Sequence, residues 1–361
     1  MRKNNRDQKP GMTRRDFIQK SLLTGAAAIG AGAVFSGGLP FMNTVRMAFG
    51  AEEFTFAWIS DTHLYPRALN TRFIEKATRA AKDAMNAKPD FLIFGGDLAQ
   101  LGRAEEFQVG EEILKEVTVK KYFIPGEHDW YYDMGEEWQK RFGKPNWTFD
   151  HKGVRFIGVD TISRGPDYWT AKKMTPEERM GHMATLDGSV AGPWAGVGKD
   201  QLQWLSKTLS DWPMDKPVIV FSHNPFYEYY PPWNFWTRDW REIQEVLAPY
   251  KNVTNIHGHT HQVLYNEVGP NNMRSIGMLA TSWTWPYAPE GLPKLTVPMV
   301  RVDPGEQYDG VGWGKLTVTA DNVSNEYMMW RKKADIFCGD SVSDCSPGHN
   351  PILSPRIADR P

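Results

Sequence analysis

The stretch Phe54-Thr55-Phe56-Ala57-Trp58-Ile59-Ser60-Asp61-Thr62-His63 places an Asp and a His directly after a short apolar run. A mostly apolar run that ends at a Ser-Asp pair predicts a buried β-strand over residues 54–59. Ligands bind at the carboxyl ends of strands in open α/β sheets, so Asp61 and His63 lie where a site is expected. This stretch therefore predicts the first strand and the first part of a functional site.

The same arrangement recurs further along the chain. Four more apolar runs each lead into a polar segment. Residues 91–94 precede Gly96-Asp97, and residues 121–124 precede Gly126-Glu127-His128-Asp129. Residues 218–221 precede Ser222-His223-Asn224, and residues 253–256 precede Gly258-His259-Thr260-His261. Apolar residues at helical spacing over 73–85, 105–117, 200–209 and 238–246 predict helices between these strands. Alternating strands and helices are typical of an α/β fold with parallel strands and helices packed outside.

The remaining segments of the domain are less regular. We expect a hairpin over 147–159 and a long inserted loop over 161–197, where Gly, Pro, Met and charged residues dominate. Alternating stretches over 262–267, 275–283 and 314–319 predict strands of a second sheet.

The polar segments carry a metal-binding composition. Six of the nine His residues fall in or beside them, which favours one shared site over scattered packing roles. Asp61 and His63, like His259 and His261, are two positions apart, and in an extended backbone such residues point the same way. Imidazole and carboxylate groups together suit Zn, Mn, Fe or Ni. Two such ions about 3.5–4 Å apart can clamp a phosphate and generate hydroxide at neutral pH.

The ordered motifs Asp-x-His, Gly-Asp, Gly-Glu-His-Asp, His and Gly-His-x-His resemble those of the calcineurin-like metallophosphoesterases, from Phe54 to His261 and more weakly to Trp330. The resemblance implies a two-sheet β-sandwich with flanking helices, in four αββα layers. It also implies a dinuclear site with His128 beside the metals as proton donor or transition-state stabiliser. The implied ligands are Asp61, His63 and His261 for the first metal, Glu127, His223 and His259 for the second, and Asp97 as the bridge.

Two positions depart from the family pattern. Glu127 stands where relatives usually have Asn, and Gln100 stands where relatives often have an Asp that pairs with the catalytic His. By resemblance the chain is a phosphoric ester hydrolase that uses a metal-bound hydroxide and two divalent or mixed-valence ions of Mn, Fe or Zn. The motif loops contain no Arg pair for a terminal phosphate, which favours a diester substrate. The alternative is an exported metal-binding accessory protein with little or no turnover.

Side chains beside the motifs are candidates for substrate contact. Asn224, Tyr227 and Trp130 are the candidates that we single out, although Asn224 could equally cap a loop. Aromatic groups over 130–132, 226–236 and 283–287 would line the rim of the metal cleft as a stacking wall for a base, a sugar or an acyl chain. The alternative is that these aromatic residues pack on one another. His257 precedes the Gly-His-x-His motif and is expected to pack inside the protein.

The first 51 residues resemble a twin-arginine export signal. Arg14-Arg15 precedes Asp16-Phe17-Ile18-Gln19-Lys20 and a mildly apolar stretch over 21–42 that is rich in Gly and Ala. This stretch is too weakly apolar to predict a stable membrane anchor, and small residues over 48–51 offer a cleavage site. The twin-arginine export machinery is the implied partner, and the implied location is periplasmic or secreted. An uncleaved signal anchor is the alternative.

Charge and cysteine content limit the partners and the chemistry that we expect for the rest of the chain. Residues 1–50 carry eight of the 42 Lys and Arg residues and two of the 43 Asp and Glu residues, which leaves the following chain with a net charge of −7. Such a charge gives no electrostatic basis for binding duplex nucleic acid. We expect a phosphoesterase domain over 52–330 and a C-terminal extension over 331–361. Cys338 and Cys345 in this extension could form a disulfide in an oxidising compartment or remain free thiols.

Overall fold

Eleven strands and six α-helices form the described part of the chain. The computed structural model describes residues 52–164, 174–183, 195–229, 235–283, 308, 310–319 and 322–330. The strands are β1 (Phe54–Ile59), β2 (Phe91–Phe94), β3 (Lys120–Phe123), β4 (Trp147–His151), β5 (Val154–Gly158), β6 (Val218–Ser222), β7 (Val253–His257), β8 (Leu264–Val268), β9 (Met273–Gly277), β10 (Gly312–Val318) and β11 (Val323–Met329). The helices are α1 (Thr71–Asn86), α2 (Ala104–Ile113), α3 (Glu136–Phe142), α4 (Pro176–Met183), α5 (Gly198–Leu209) and α6 (Trp240–Leu247), with a 3₁₀ turn over Leu114–Glu116.

The strands form two mixed sheets. The first has the order β11-β10-β1-β2-β3 and the second has the order β4-β5-β6-β7-β9-β8. The neighbours β1-β2-β3 and β5-β6-β7-β9 are parallel, while β10, β11, β4 and β8 pair antiparallel with their neighbours at the flanks. The parallel strands at the centre of both sheets direct their carboxyl ends, and the loops that follow, towards one edge.

Three layers of buried side chains explain how the sheets and helices stack. Along β1, Phe56 and Trp58 face the other sheet, whereas Ala57 and Ile59 face the helices, as the two-residue period of a strand requires. Phe156, Phe221 and Ile256 fill the space between the sheets from the opposite side. The arrangement confirms the predicted two-sheet sandwich with flanking helices.

The helices cover the outer faces of the sheets. Asn70 caps the N-terminus of helix α1, and its side chain accepts hydrogen bonds from the backbone N–H groups of Arg72 and Phe73 at 3.1 and 3.4 Å. Its buried stripe of Ile74 and small alanines packs on the first sheet together with α2. Helices α5 and α6 pack on the second sheet through their Leu and Ile side chains. No helix in the described ranges is long and apolar enough to cross a membrane.

Two sequence-based expectations about the fold were wrong. The segment 161–197 is not wholly a loop, because it contains α4, and its Arg179 donates to the backbone carbonyls of Tyr131, Tyr132 and Met174 at 2.6 Å each. The strands β8, β9 and β10 do not form a sheet together: β8 and β9 extend the sheet of β7, and β10 pairs with β1. Long-range strand pairing decides sheet membership, and alternation along one segment carries no information about its partner.

Some expectations fall outside the described residues. These are the export signal over 1–51, the extension over 331–361 with Cys338 and Cys345, residues 230–234 of the aromatic run, and the aromatic residues Trp285 and Tyr287. They remain predictions from the sequence.

Candidate metal centre

The loops that follow five parallel strands bring the predicted ligands together. Asp61 and His63 follow β1, Asp97 follows β2, and Glu127 follows β3, all in the first sheet. The second sheet contributes the remaining histidines, His223 after β6 and His259 and His261 after β7. All seven side chains are buried. The site therefore forms where the carboxyl edges of the two sheets meet, as expected for parallel strands.

One group of ligand atoms comes from Asp61, His63 and His261. These three residues each offer one atom, and the three atoms lie within 4.8 Å of one another. The Nε2 atoms of His63 and His261 are 3.2 Å apart, and His261 Nε2 is 3.2 Å from Asp61 Oδ1. Carboxylate and imidazole atoms converge on one point, which is the geometry of a site for one cation.

A second group comes from Asp97, Glu127, His223 and His259, again within 4.8 Å. The carboxylate of Glu127 reaches both histidines, with Oε2 at 3.0 Å from His223 Nε2 and Oε1 at 3.0 Å from His259 Nδ1. This group also has the ligand types and the spacing that could hold a metal ion.

Asp97 lies between the two groups. Its Oδ2 atom is 3.3 Å from His223 Nε2 in the second group and 3.7 Å from His63 Nε2 in the first. Its Oδ1 atom is engaged elsewhere, accepting a hydrogen bond from the backbone N–H of His128 at 2.9 Å. One oxygen of Asp97 is thus anchored, and the other is directed at both groups.

The tautomers of two histidines show that the site fits cations. His223 Nδ1 is 2.8 Å from the backbone carbonyl oxygen of Gly95, so this nitrogen carries the hydrogen and donates it. His63 Nδ1 is likewise 3.0 Å from the amide oxygen of Gln100. In each ring Nε2 is then the nitrogen that faces the other ligand atoms of the site, where a bound cation would take the place of a ring proton.

Buried carboxylate oxygens also indicate that the site fits cations. Among the described residues, Asp61 Oδ2 and Asp97 Oδ2 are buried and make no hydrogen bond, although imidazole nitrogens lie close to Asp97 Oδ2. A buried oxygen without a donor costs about 1–3 kcal/mol, more when it is charged. Metal binding removes that cost, so the residues fit divalent cations of the kind that take oxygen and nitrogen ligands.

Charge interactions within the site shift several pKa values. Burial raises the pKa of Glu127, but His259 and His223 outweigh it and hold the pKa well below its usual value. Burial lowers the pKa of His223, yet Asp97 and Glu127 raise it well above the ordinary value for His. Burial, together with His128 and His261, lowers the pKa of His63 well below that value. The charges that shift these pKa values therefore come mainly from other side chains of the same site.

Several ligands have a backbone conformation that the sequence did not predict. Positive φ angles of 45–62° occur at Asp61, His63, Asp97, His259 and His261. The expectation that paired ligands face one ion from an extended strand was therefore wrong. Such left-handed residues cost of order 1–3 kcal/mol each and persist where the surrounding structure holds them.

Hydrogen bonds between two loops hold this conformation. The loop after β1 runs beside the loop after β2, with Asp61 N donating to Gly96 O at 2.9 Å and His63 N donating to Asp97 O at 3.0 Å. Close approach also requires glycine: a β-carbon at Gly96 would overlap the His223 ring, and one at Gly126 would overlap the Asp97 carboxylate.

His128 lies beside the first group and is only partly buried. Its Nδ1 atom is 2.7 Å from the backbone carbonyl oxygen of Gln100, and its ring centroid is 4.5 Å from that of His63. The Tyr131 ring flanks it on another side at 4.7 Å. One nitrogen of His128 also lies within 4.8 Å of ligand atoms of His63 and Asp97. The histidine is thus oriented at the edge of the site and is accessible from outside.

Two supporting residues had no role assigned from the sequence. The Gln100 side chain orients His63, as described above. Asp129 joins two ligand loops, because its carboxylate accepts from Ala99 N and Gly126 N at 3.0 Å each. Burial, with the nearby Asp97 carboxylate, raises the pKa of Asp129 well above its usual value. Its place in the Gly-Glu-His-Asp segment was the available signal.

The candidate substrate residues have different surroundings. Trp130 does not line the cleft: it is 1% exposed and packs against Trp138, with ring centroids 5.6 Å apart, in the core under the helices. Asn224 is fully buried and accepts a hydrogen bond from Thr161 Oγ1 at 2.9 Å. The Tyr227 hydroxyl accepts from Asn266 Nδ2 at 2.9 Å, and its ring is also largely buried.

Other aromatic residues do border the site. The Trp283 ring contacts His63 with centroids 4.7 Å apart and lies 6.5 Å from His261. Phe235 contacts His259 edge-on at 5.1 Å. His257 is fully buried, and burial lowers its pKa to about 4, which matches the expected packing role.

Comparison with known proteins agrees with this geometry. Residues 54–263 match the calcineurin-like phosphoesterase family. The chain is 29% identical over 174 residues to a probable glycerophosphodiester phosphodiesterase GpdQ of Arcobacter nitrofigilis, which covers 46% of this chain and 55% of that protein. It is 26% identical over 189 residues to the 3',5'-cyclic adenosine monophosphate phosphodiesterase CpdA of Haemophilus influenzae, which covers 50% and 58% of the two chains. The chain thus matches little more than half the length of these curated relatives.

A solved structure supports the fold. A dimetal phosphatase of Danio rerio superposes with a TM-score of 0.52 at 15% identity, covering 76% of this chain and 99% of that one. The family match covers the whole run from β1 to the Gly-His-x-His segment, which contains every side chain of the two ligand groups. Sequence match, sandwich topology and converging Asp and His side chains thus lead to one conclusion, that this chain belongs to the calcineurin-like phosphoesterase family.

Proposed function

We propose that this protein hydrolyses a small phosphodiester with the help of two metal ions. The observation that carries the proposal is the position of Asp97 Oδ2, which faces a histidine of each ligand group at 3.3 and 3.7 Å. A carboxylate oxygen in that position can be shared by two neighbouring cations, and paired cations are suited to displacement at phosphorus. The relatives named as phosphodiesterases support the class of substrate.

The charge of the site also favours a diester. Three carboxylates, Asp61, Asp97 and Glu127, converge on it, and the five motif loops contain neither Arg nor Lys. A monoester carries up to two negative charges at neutral pH, whereas a diester carries one. The less charged substrate meets less repulsion from the three carboxylates.

The side chains around the ligand groups divide the remaining work. The ions, when bound, supply Lewis-acid stabilisation of the charge that develops on the phosphate. His128 is placed to move a proton: its Nδ1–H donates to Gln100 O, so Nε2 is the nitrogen that exchanges protons with the substrate. In the doubly protonated ring, Nε2–H would give its proton to the leaving oxygen and leave the ring neutral. Tyr131 and Trp283 flank the histidines with apolar rings, which limits access of water from their side.

Hydrolysis of two chromogenic esters tests the proposal. Purified protein at saturating Mn²⁺ is expected to cleave bis-p-nitrophenyl phosphate with a higher kcat/KM than p-nitrophenyl phosphate, and a chelator should abolish both activities. A preference for the monoester would change the substrate class. Metal-loaded protein that cleaves neither ester would leave the alternative of an exported metal-binding accessory protein.

We also propose export by the twin-arginine route to the periplasm or beyond. The Arg14-Arg15 segment supports this proposal, together with the requirement that a buried metal site be filled before the chain has fully closed around it. Folded export by this route carries the metals across the membrane with the protein.

A further inference from the structure

We propose that Glu127 makes the second ligand group equivalent to the first, so that both sites hold the same divalent ion with similar affinity. The inference deepens the proposed function, since it rests on a dinuclear centre. It concerns how the ions are held and not which ester is cleaved.

The two donor sets match residue for residue. With Asp97 counted in both, each group has two carboxylates and two imidazoles. Asp61 is the second carboxylate of the first group, and Glu127 is that of the second. The imidazoles are those of His63 and His261 in the first group and those of His223 and His259 in the second. A neutral amide at position 127 would leave the second group with the shared Asp97 as its single carboxylate. Cation affinity follows ligand charge and ligand type, so the carboxylate removes the main reason for the second site to bind more weakly.

The geometry of Glu127 commits its carboxylate to the second group. The residue begins a turn in which Trp130 N donates to Glu127 O at 2.9 Å, and this turn directs the side chain inwards, where it is 5% exposed. Its two oxygens lie 3.0 Å from His223 Nε2 and 3.0 Å from His259 Nδ1. Because His223 Nδ1–H donates to Gly95 O, Nε2 is the ring nitrogen that faces Glu127 Oε2. These two atoms are therefore placed to hold the same cation.

The supporting contacts match as well. Each group contains a histidine whose Nδ1 lies close to an oxygen outside the group. His63 Nδ1 is 3.0 Å from the side-chain oxygen of Gln100, and His223 Nδ1 is 2.8 Å from the backbone oxygen of Gly95. Both groups are buried to a similar degree, with every ligand at most 8% exposed. Such contacts orient ligands before the metal arrives and strengthen binding. Neither group therefore has an advantage in donor type, charge or burial.

Metal retention by the full chain tests the inference. Metal-free protein titrated with Mn²⁺ is expected to take up two ions in one indistinguishable class, and dialysis against metal-free buffer should remove both together. Electron paramagnetic resonance should show an exchange-coupled pair at full loading, and at partial loading a statistical mixture of this pair with singly occupied chains whose ion lies in either site. Uptake in two well-separated steps, with one ion lost first and an isolated-ion spectrum left behind, would overturn the proposal.

Variants assign the effect to Glu127. Glu127→Gln is expected to lower the affinity for one of the two ions by at least about tenfold, the lower end of the loss seen when contacts that support a metal site are removed. The spectrum of an isolated ion should then replace that of the coupled pair. Asp61→Asn should likewise lower the affinity for the ion of the first site. Glu112→Gln makes the same change on α2, away from the ligand groups, where Glu112 is partly exposed and pairs with Arg67, and this variant should retain both ions equally. A Glu127→Gln protein that still binds two ions of equal affinity would refute the role of this carboxylate.

Failure of the inference and failure of the proposed function give different results. Wild-type protein that holds one ion tightly and one weakly, yet cleaves the diester when metal is added, would refute the inference alone. Protein that holds two equivalent ions and cleaves neither ester would refute the function alone. Circular dichroism of each variant, with and without metal, shows that any loss of metal is not a loss of the fold.

Discussion

His128 Nδ1 lies 2.7 Å from the backbone carbonyl oxygen of Gln100, while the side-chain amide oxygen of the same Gln100 lies 3.0 Å from His63 Nδ1. One residue thus orients two histidines through different atoms. An acidic partner for His128 was expected to be missing because Gln replaces the Asp of relatives. The backbone carbonyl takes that place, so the orientation of His128 does not depend on which side chain stands at position 100.

Replacing Gln100 should separate these two contacts. Gln100→Ala keeps the carbonyl that orients His128 but removes the partner of His63, so we expect metal affinity at the first site to fall by about 10–100-fold. Turnover should recover at saturating Mn²⁺. Isothermal titration calorimetry and activity at increasing Mn²⁺ measure both effects, with the exposed Gln108→Ala as control. Turnover that excess metal does not restore would show that the side chain also positions the carbonyl.

His128 should be needed for turnover and not for metal. Because its Nδ1 is bound to Gln100 and it lies at the edge of the first group, His128→Ala is expected to keep the metal content while kcat on the diester falls by about 10²–10⁴-fold. Metal analysis and steady-state kinetics on one preparation give the answer. His151→Ala, on the hairpin between β4 and β5, serves as control. A lost ion in the His128 variant would reassign this histidine as a ligand.

Asp97 should matter more than any other ligand. Its Oδ2 faces a histidine of each group, so Asp97→Asn removes charge from both sites at once. We expect the dinuclear metal content to be lost, whereas Asp61→Asn should still retain one ion. Metal counting after dialysis distinguishes the two variants. Two ions per chain in the Asp97 variant would show that this carboxylate is not the bridge.

An ion pair away from the site should give a pH-dependent contribution to stability. Asp90 Oδ2 lies 2.7 Å from His151 Nε2 and 3.0 Å from Lys152 Nζ, which joins the first sheet to the β4–β5 hairpin. Burial raises the pKa of Asp90, but its bonds to His151 and Lys152 outweigh burial and lower the pKa below the ordinary value of 3.8. The carboxylate therefore stabilises the folded state above pH 3.8, and this contribution is lost as the pH falls through the lower folded-state pKa.

Thermal melts should show this dependence. Asp90→Asn is expected to cost about 0.2–1 kcal/mol at pH 6, the usual range for exposed pairs. The difference from wild type should shrink as the pH is lowered towards and below the ordinary pKa of Asp. Asp215→Asn, at an exposed position, is the matched control. A difference in Tm that stays constant across this range would contradict the assigned charge interaction.

Export should depend on the paired arginines. Changing Arg14 and Arg15 to Lys keeps the charge but removes the guanidinium pair that the twin-arginine machinery recognises, so the protein should remain in the cytoplasm. Cell fractionation and immunoblotting measure the distribution, and the same change at Arg2 and Arg6 should leave export intact. A double variant of Arg14 and Arg15 that still reaches the periplasm would show that another signal is used.

Much of the fold was predictable because its strands are short, apolar and bounded by polar residues. The predicted bounds of the first two strands, 54–59 and 91–94, match β1 and β2. The helix α4 was missed because its eight residues, Pro176–Met183, include Gly and carry a mixed pattern that does not identify a buried face. Trp130 was misplaced because its neighbour in sequence is a site residue, and position in the chain does not show which side of a turn faces the core.

The sequence by itself determined which side chains converge. The order of Asp, Glu and His residues at the ends of parallel strands is enough, because parallel strands direct their carboxyl ends to the same edge. The tertiary structure alone decided how these residues face one another: left-handed backbone at Asp61 and Asp97, the hydrogen bonds that set the tautomers of His63 and His223, and the contact of Glu127 with both histidines of its group. These features arise from contacts between residues far apart in the sequence, such as the hydrogen bond from His223 to Gly95 over 128 residues, and no local pattern encodes the partner of such a contact.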